Sequence, residues 1–192
     1  MEQKRDSTPE DVLVDHLQRV VGALEADDRE AAAATMAEIA FSPAQTERRP
    51  SLTPRLQAEV FRRDAFTCRY CGTRTVPPPV LRVLSALFPV EFPYHPNWKS
   101  DVTHRAHWTI STTCDHVTAG TLGGDWREAE NLITACWTCN QRKANLCLEQ
   151  LGWTLRPVPA PGWDGLVGAY PKLWELAGRP DPAYHRRWLT AL

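Results

Sequence analysis

Residues 114–143 read CDHVTAGTLGGDWREAENLITACWTCNQRK. The stretch holds an Asp-His pair (Asp115, His116), a Gly-Gly step (Gly123, Gly124), Asn131 before Leu132, a CxxC (Cys136, Cys139), and Asn140 with Lys143 three residues on. Residues 107–117 are rich in β-branched side chains and predict a strand that ends at the Asp-His pair. A Gly-rich loop over 118–130, a short strand over 131–135 and a helix over 137–149 complete the expected order. Upstream, CRYC at 68–71 supplies a second CxxC of identical spacing.

Four thiolates in tetrahedral array suit Zn²⁺, and a CxxC sets two of them on one knuckle at the right bite. Cys68 and Cys71 form one expected knuckle, Cys136 and Cys139 the other. A site with all four positions filled by protein is structural. Cys114 and Cys147 are left over and read as small buried hydrophobes. Gly72 suits the tight turn after the first knuckle.

Working outward, residues 54–64 (PRLQAEVFRRD) predict a short helix with Leu56, Val60 and Phe61 on one face. Residues 73–106 form a long insert, with PPP, a helix expected at 80–87, and FPYHPNW. His95, His104 and His107 are expected on loop or strand surfaces. The eight Trp residues, Trp126 and Trp137 among them, predict a well-filled small core. Residues 9–25 have the apolar spacing of an amphipathic helix with Ser7 or Thr8 as N-cap, and 28–40 is helical by its alanine content. Together they predict an N-terminal helical hairpin. Residues 42–54 read as a linker, and helices are expected near 163–177 and 181–191 after a Pro-rich stretch.

The chain has 192 residues and a net charge of −1. The charges segregate: residues 1–47 carry 11 acidic and 4 basic side chains, and 48–192 carry 12 acidic and 18 basic. A basic body beside an acidic arm is the asymmetry expected of a protein with a polyanionic partner. No apolar run approaches the roughly 20 residues of a membrane span. The opening MEQKRDSTPEDVL has no apolar signal segment, so a cytoplasmic location and reduced thiols are the expectation.

The full order CxxC, Asp-His, Gly-Gly, Glu-Asn-Leu, CxxC-Asn-x-x-Lys is similar to that of the HNH endonuclease family, in its four-cysteine branch. The resemblance covers about residues 52–147, interrupted by the insert. It implies an α+β fold of the ββα-metal type, a β-hairpin packed on a helix with a divalent ion between them. By the same resemblance His116 is the general base, Asp115 and Asn140 are ligands of the catalytic ion, Asn131 fixes the loop and the His backbone, and Lys143 faces the phosphates, with Arg142 a lesser candidate. The last motif position holds Asn140 where the family's name has His, so the set is HNN. Asp and Asn are hard oxygen ligands, which favours Mg²⁺ or Mn²⁺.

The reading is therefore an acidic helical arm and linker over 1–50, a nuclease domain over 51–152 with its insert at about 73–106, and a C-terminal helical extension over 153–192. The expected activity is metal-dependent phosphodiester hydrolysis in DNA, double-stranded, with RNA a further possible substrate. A homodimer through the N-terminal helices is the expected assembly. Two alternatives remain at this point: a non-catalytic zinc module that binds nucleic acid, and a toxin-type nuclease with an immunity partner.

Overall fold

The structure, a computed structural model, describes residues 9–39, 51–160 and 162–192. The chain divides into two compact units, residues 1–48 and 49–192. In the first, helix α1 (Pro9–Glu25) is followed by helix α2 (Arg29–Ala37). Asp28 caps α2 by accepting from the Ala31 amide at 2.9 Å, which satisfies one of the amides a helix start leaves unbonded. His16 on α1 reaches Glu38, just past α2, at 2.8 Å. The expected cap at Ser7 or Thr8 and most of the expected linker lie outside the described residues.

The second unit begins with helix α3 (Pro54–Arg63). Thr53 caps it by accepting from the Leu56 amide at 3.2 Å, and Pro54 sits at the first position, where no amide is needed. The first knuckle follows and closes through Gly72, at φ +79°, whose amide bonds the Cys68 carbonyl at 2.8 Å. Next come helix α4 (Pro78–Leu87) and helix α5 (Arg105–Thr109), the latter capped by His104 through the Ala106 amide. Strands β1 (Thr112–His116) and β2 (Leu132–Cys136) pair antiparallel, Thr112 with Cys136 through His116 with Leu132. Helix α6 (Trp137–Lys143) leaves β2 directly, and helices α7 (Tyr170–Leu176) and α8 (Pro182–Ala191) follow. The result is the α+β arrangement anticipated, a two-stranded hairpin packed on a helix.

Two apolar clusters hold this unit. One gathers Cys68, Tyr70, Ile133, Ala135 and Cys136 around the knuckles. The other joins Phe61 of α3, Val80 and Val83 of α4, and Tyr170, Trp174 and Trp188 of α7 and α8. The insert and the C-terminal helices therefore share one core with α3. Complete burial of a side chain such as Phe61 or Val80 contributes roughly 1.5–3 kcal/mol. Fully buried Asp64 links the parts, accepting from Arg63 at 3.0 Å, Arg69 at 3.1 Å and the Thr134 amide at 2.7 Å. No helix among the described residues is long and apolar enough to cross a membrane.

Three expectations need correction. Residues 107–111 do not belong to the strand: His107 to Thr109 lie in α5, and the Ile110 amide closes it on the Ala106 carbonyl at 3.0 Å. Their β propensity gives way to packing, since the His107 ring lies 5.1 Å from Phe92 and 4.9 Å from Tyr94. The helix expected to reach 149 stops at Lys143, where the chain turns at Ala144 with φ +47°. Residues 163–169 are not helical but irregular and then turn, because the Asp164 carboxylate accepts from the Leu166 and Gly168 amides and competes with helix bonding.

His107 is also buried, not at the surface, and its Nε2 lies 3.1 Å from the Ser85 hydroxyl. Burial, with Arg82 and His104 nearby, pushes its imidazole from 6.5 down to about 4. Between those values the unfolded chain binds a proton that the folded chain does not. Stability is therefore full above about pH 6.5 and declines as pH falls toward 4. Urea melts across this window should show that slope, flattened in His107→Gln; an equal slope in both proteins would mean that His107 protonates freely in the fold.

Candidate active site

A cavity of about 430 Å³ opens where the end of β1 meets α6, with Asp115, His116, Trp126, Asn140, Gln141 and Asn145 among its lining. Alternation along β1 puts Thr113 and Asp115 on one face. The Asn140 amide nitrogen donates to the Thr113 hydroxyl at 2.9 Å, which leaves the lone pairs of its carbonyl oxygen for a metal ion or a hydrogen-bond donor. Asp115 and Asn140 thus bring two hard oxygen donors to one cavity.

Asp115 is held on three sides. Its Oδ2 accepts from the Tyr70 hydroxyl at 2.7 Å, its Oδ1 accepts from the His116 amide at 2.8 Å, and the Lys143 ammonium lies 3.9 Å from Oδ2. Burial raises its pKa, while Tyr70, Lys143 and the amide oppose the rise. Burial and the Asp115 charge push the Tyr70 phenol up, so it remains a donor. Lys143 does not face outward. Its side chain is fully buried, and its Nζ donates to the His116 carbonyl at 2.7 Å. Among the described residues, Asp115 and that carbonyl are the groups that answer its charge.

His116 Nε2 lies 3.0 Å from the Trp126 carbonyl, and the Trp126 ring stands edge-on to the imidazole at 5.0 Å. A carbonyl only accepts, so Nε2 carries the hydrogen and Nδ1 of the neutral ring carries the lone pair. Trp126 comes from the loop between the strands, which Asn131 ties together. Asn131 Oδ1 accepts from the Thr118 amide at 2.8 Å, and its Nδ2 donates to the carbonyls of Thr118 at 3.0 Å and Asp125 at 2.8 Å. The loop needs its glycines: a Cβ on Gly120 would stand 1.9 Å from the Trp126 ring, and one on Gly124 would stand 2.0 Å from the Thr118 carbonyl.

Beside the cavity, the sulfurs of Cys68, Cys71, Cys136 and Cys139 all lie within 4.8 Å of one another. The Cys71 to Cys136 separation is 3.8 Å, and Zn–S bonds of about 2.3 Å in a tetrahedron require about the same spacing. This cluster fits a zinc ion. A hydrogen bond from Cys136 holds Cys68 down to about 5, and the same bond pushes Cys136 up. Cys114 is half-buried, packs on the larger core, and is pushed up to about 12 by burial, so it is a neutral thiol. Arg142 lies over the Trp153 ring at 5.6 Å, in a separate cleft beside the cysteines.

Residues 104–146 match the family model of the HNH endonuclease. The segment is an HNH domain. The match spans α5 through α6 and so includes Asp115, His116, Asn131, Asn140 and the second knuckle. No curated protein and no solved structure matches the chain. An HNH domain points to a nuclease-type function, and the four-cysteine cluster beside it to zinc.

Three contributors to the HNH site were absent from the motif reading. Tyr70 lies between the first two cysteines but acts on Asp115, 45 positions away. Thr113 stands two residues before Asp115 on the same strand face, a spacing that could have marked it. The Trp126 carbonyl has no side-chain signature. Lys143→Met should remove the cation beside buried Asp115 and lower stability by roughly 3–5 kcal/mol at neutral pH, read by urea denaturation. A loss under about 0.5 kcal/mol would show that the ammonium carries no structural charge here.

Proposed function

We propose that this protein is a metal-dependent endonuclease that hydrolyses phosphodiester bonds in double-stranded DNA. The observation that carries the reading is the state of His116, whose Nε2 is committed to the Trp126 carbonyl and whose Nδ1 is free to accept a proton at the cavity shared by Asp115 and Asn140. Activation of water requires a general base, and imidazole is the side chain suited to that task near neutral pH. His116 takes the proton of the attacking water at Nδ1, and the Trp126 carbonyl stabilises the imidazolium through Nε2.

Asp115 and Asn140 would hold Mg²⁺ or Mn²⁺, and both offer the hard oxygens these ions prefer. When bound, the ion would neutralise charge on the scissile phosphate and the leaving oxygen. Asn131 fixes the loop that carries Trp126 and so the angle of the His116 ring. Lys143 is best read as a positioning residue: it holds the His116 carbonyl and balances Asp115 from within, and the phosphates meet other cations. The four cysteines hold a structural zinc. Products with 5′-phosphate and 3′-hydroxyl ends follow from the family resemblance.

One such site cuts one strand. A double-strand break then needs two encounters or a dimer, and the half-exposed Leu13, Leu17, Val21 and Leu24 on α1 support a dimer through the helical arm. The domain boundaries given above and a cytoplasmic setting belong to the same proposal.

Purified protein should nick supercoiled plasmid in Mg²⁺ or Mn²⁺, and His116→Ala should reduce the rate by about 10²–10⁴-fold. Equal nicking by both proteins would remove His116 from the mechanism. The same preparation should carry one zinc per chain by elemental analysis, lost along with thermal stability in Cys71→Ser. Full stability in that variant without bound metal would refute the structural zinc.

A further inference from the structure

A second groove, of about 750 Å³, runs between α3 and α8. Four arginines line it, Arg55 and Arg62 from α3 and Arg186 and Arg187 from α8, and all four are exposed. One carboxylate lines it, Glu59, which pairs with Arg55 at 3.0 Å. Arg62 donates to the Leu192 oxygen at 2.5 Å; among the described residues no side-chain carboxylate pairs with Arg62, Arg186 or Arg187. The two helices are locked in place where Arg62 Nη2 donates to the Ala191 carbonyl at 2.6 Å. The groove thus gathers four guanidinium groups, of which Arg186 and Arg187 have no carboxylate partner among the described residues. None of its arginines lines the HNH cavity.

The groove is nonetheless joined to that cavity. Arg63, next in the chain after Arg62, donates to the Ala129 carbonyl at 2.7 Å and to the Leu132 carbonyl at 2.5 Å. Leu132 is the strand partner of His116. The α3 arginine that follows Arg62 therefore bonds the backbone on either side of Asn131 and at the strand position paired with His116. Arg55 and Arg62 are seven positions apart, about 10 Å along the helix axis, which matches the axial rise of about three base pairs. Guanidinium groups present planar, paired donors that suit phosphate oxygens.

We propose that this groove is a second phosphate-binding surface, which grips the backbone of duplex DNA away from the scissile bond and sets its path into the HNH cavity. The inference rests on the DNA nuclease reading and names where that substrate is held. Contacts to phosphate give affinity and register and do not read sequence.

The test measures binding of a long fluorescent duplex to the full zinc-loaded chain over a salt series, in a His116→Ala background. Arg186→Gln/Arg187→Gln should bind roughly 10- to 100-fold more weakly at ~0.1 M salt and flatten the log–log salt slope by about 1.8, the value for two lost phosphate contacts. Arg55→Gln, on the facing wall, should act in the same direction. Lys172→Gln/Arg179→Gln removes the same charge outside the groove and should change little. Matching affinity and slope in the groove and control pairs would overturn the proposal, as would no duplex binding by the parent chain. Binding and cutting separate the two readings: a chain with intact His116 that binds through the groove and cuts nothing would refute the nuclease and leave the binding surface standing.

Discussion

Four sulfurs from two knuckles 65 positions apart lie within 4.8 Å of one another, and most of the nuclease-like unit follows from that convergence. The second knuckle is the junction of β2 and α6, so gathering the sulfurs fixes the angle at which the helix leaves the hairpin. The first knuckle carries Tyr70, and closing it delivers a hydroxyl to Asp115. A metal there would displace the thiol protons and join the two knuckles, so binding free energy becomes folding free energy.

Behind the cavity, a buried cation and a buried carboxylate compensate each other. Lys143 and Asp115 would each be costly alone in this interior, and their mutual attraction offsets that cost only because Tyr70, the His116 amide and the His116 carbonyl complete their bonding. The arrangement fixes the backbone of His116 from one side while the Trp126 carbonyl fixes its ring from the other. The proposed base is thus held at both ends, with its remaining nitrogen directed by elimination toward proton transfer.

Much of this was legible in the sequence because the motif residues carry their chemistry with them. Paired CxxC spacing announced the cysteine cluster, and the β-branched run ending at the Asp-His pair announced β1. The hairpin and the helix after it follow from residues 112–143. What was not legible depended on long-range packing. The inward turn of Lys143 needs a buried partner that no local pattern reveals, and the family resemblance had it facing the phosphates. Likewise the Pro-rich stretch before Trp163 suggested a separate extension. Only the shared core of Phe61, Val80, Tyr170, Trp174 and Trp188 shows the insert and the C-terminal helices supporting α3 together. His107 read as a polar surface residue because its burial arises from aromatic neighbours supplied by the insert.

The most direct test of the account is a Mn²⁺ titration of the zinc-loaded protein followed by nuclear magnetic resonance. Paramagnetic broadening should begin at His116 and at the Asn140 side-chain amide, and should vanish in Asp115→Asn/Asn140→Ala. Broadening centred elsewhere, or unchanged in that variant, would contradict a catalytic ion between β1 and α6 and with it the proposed mechanism.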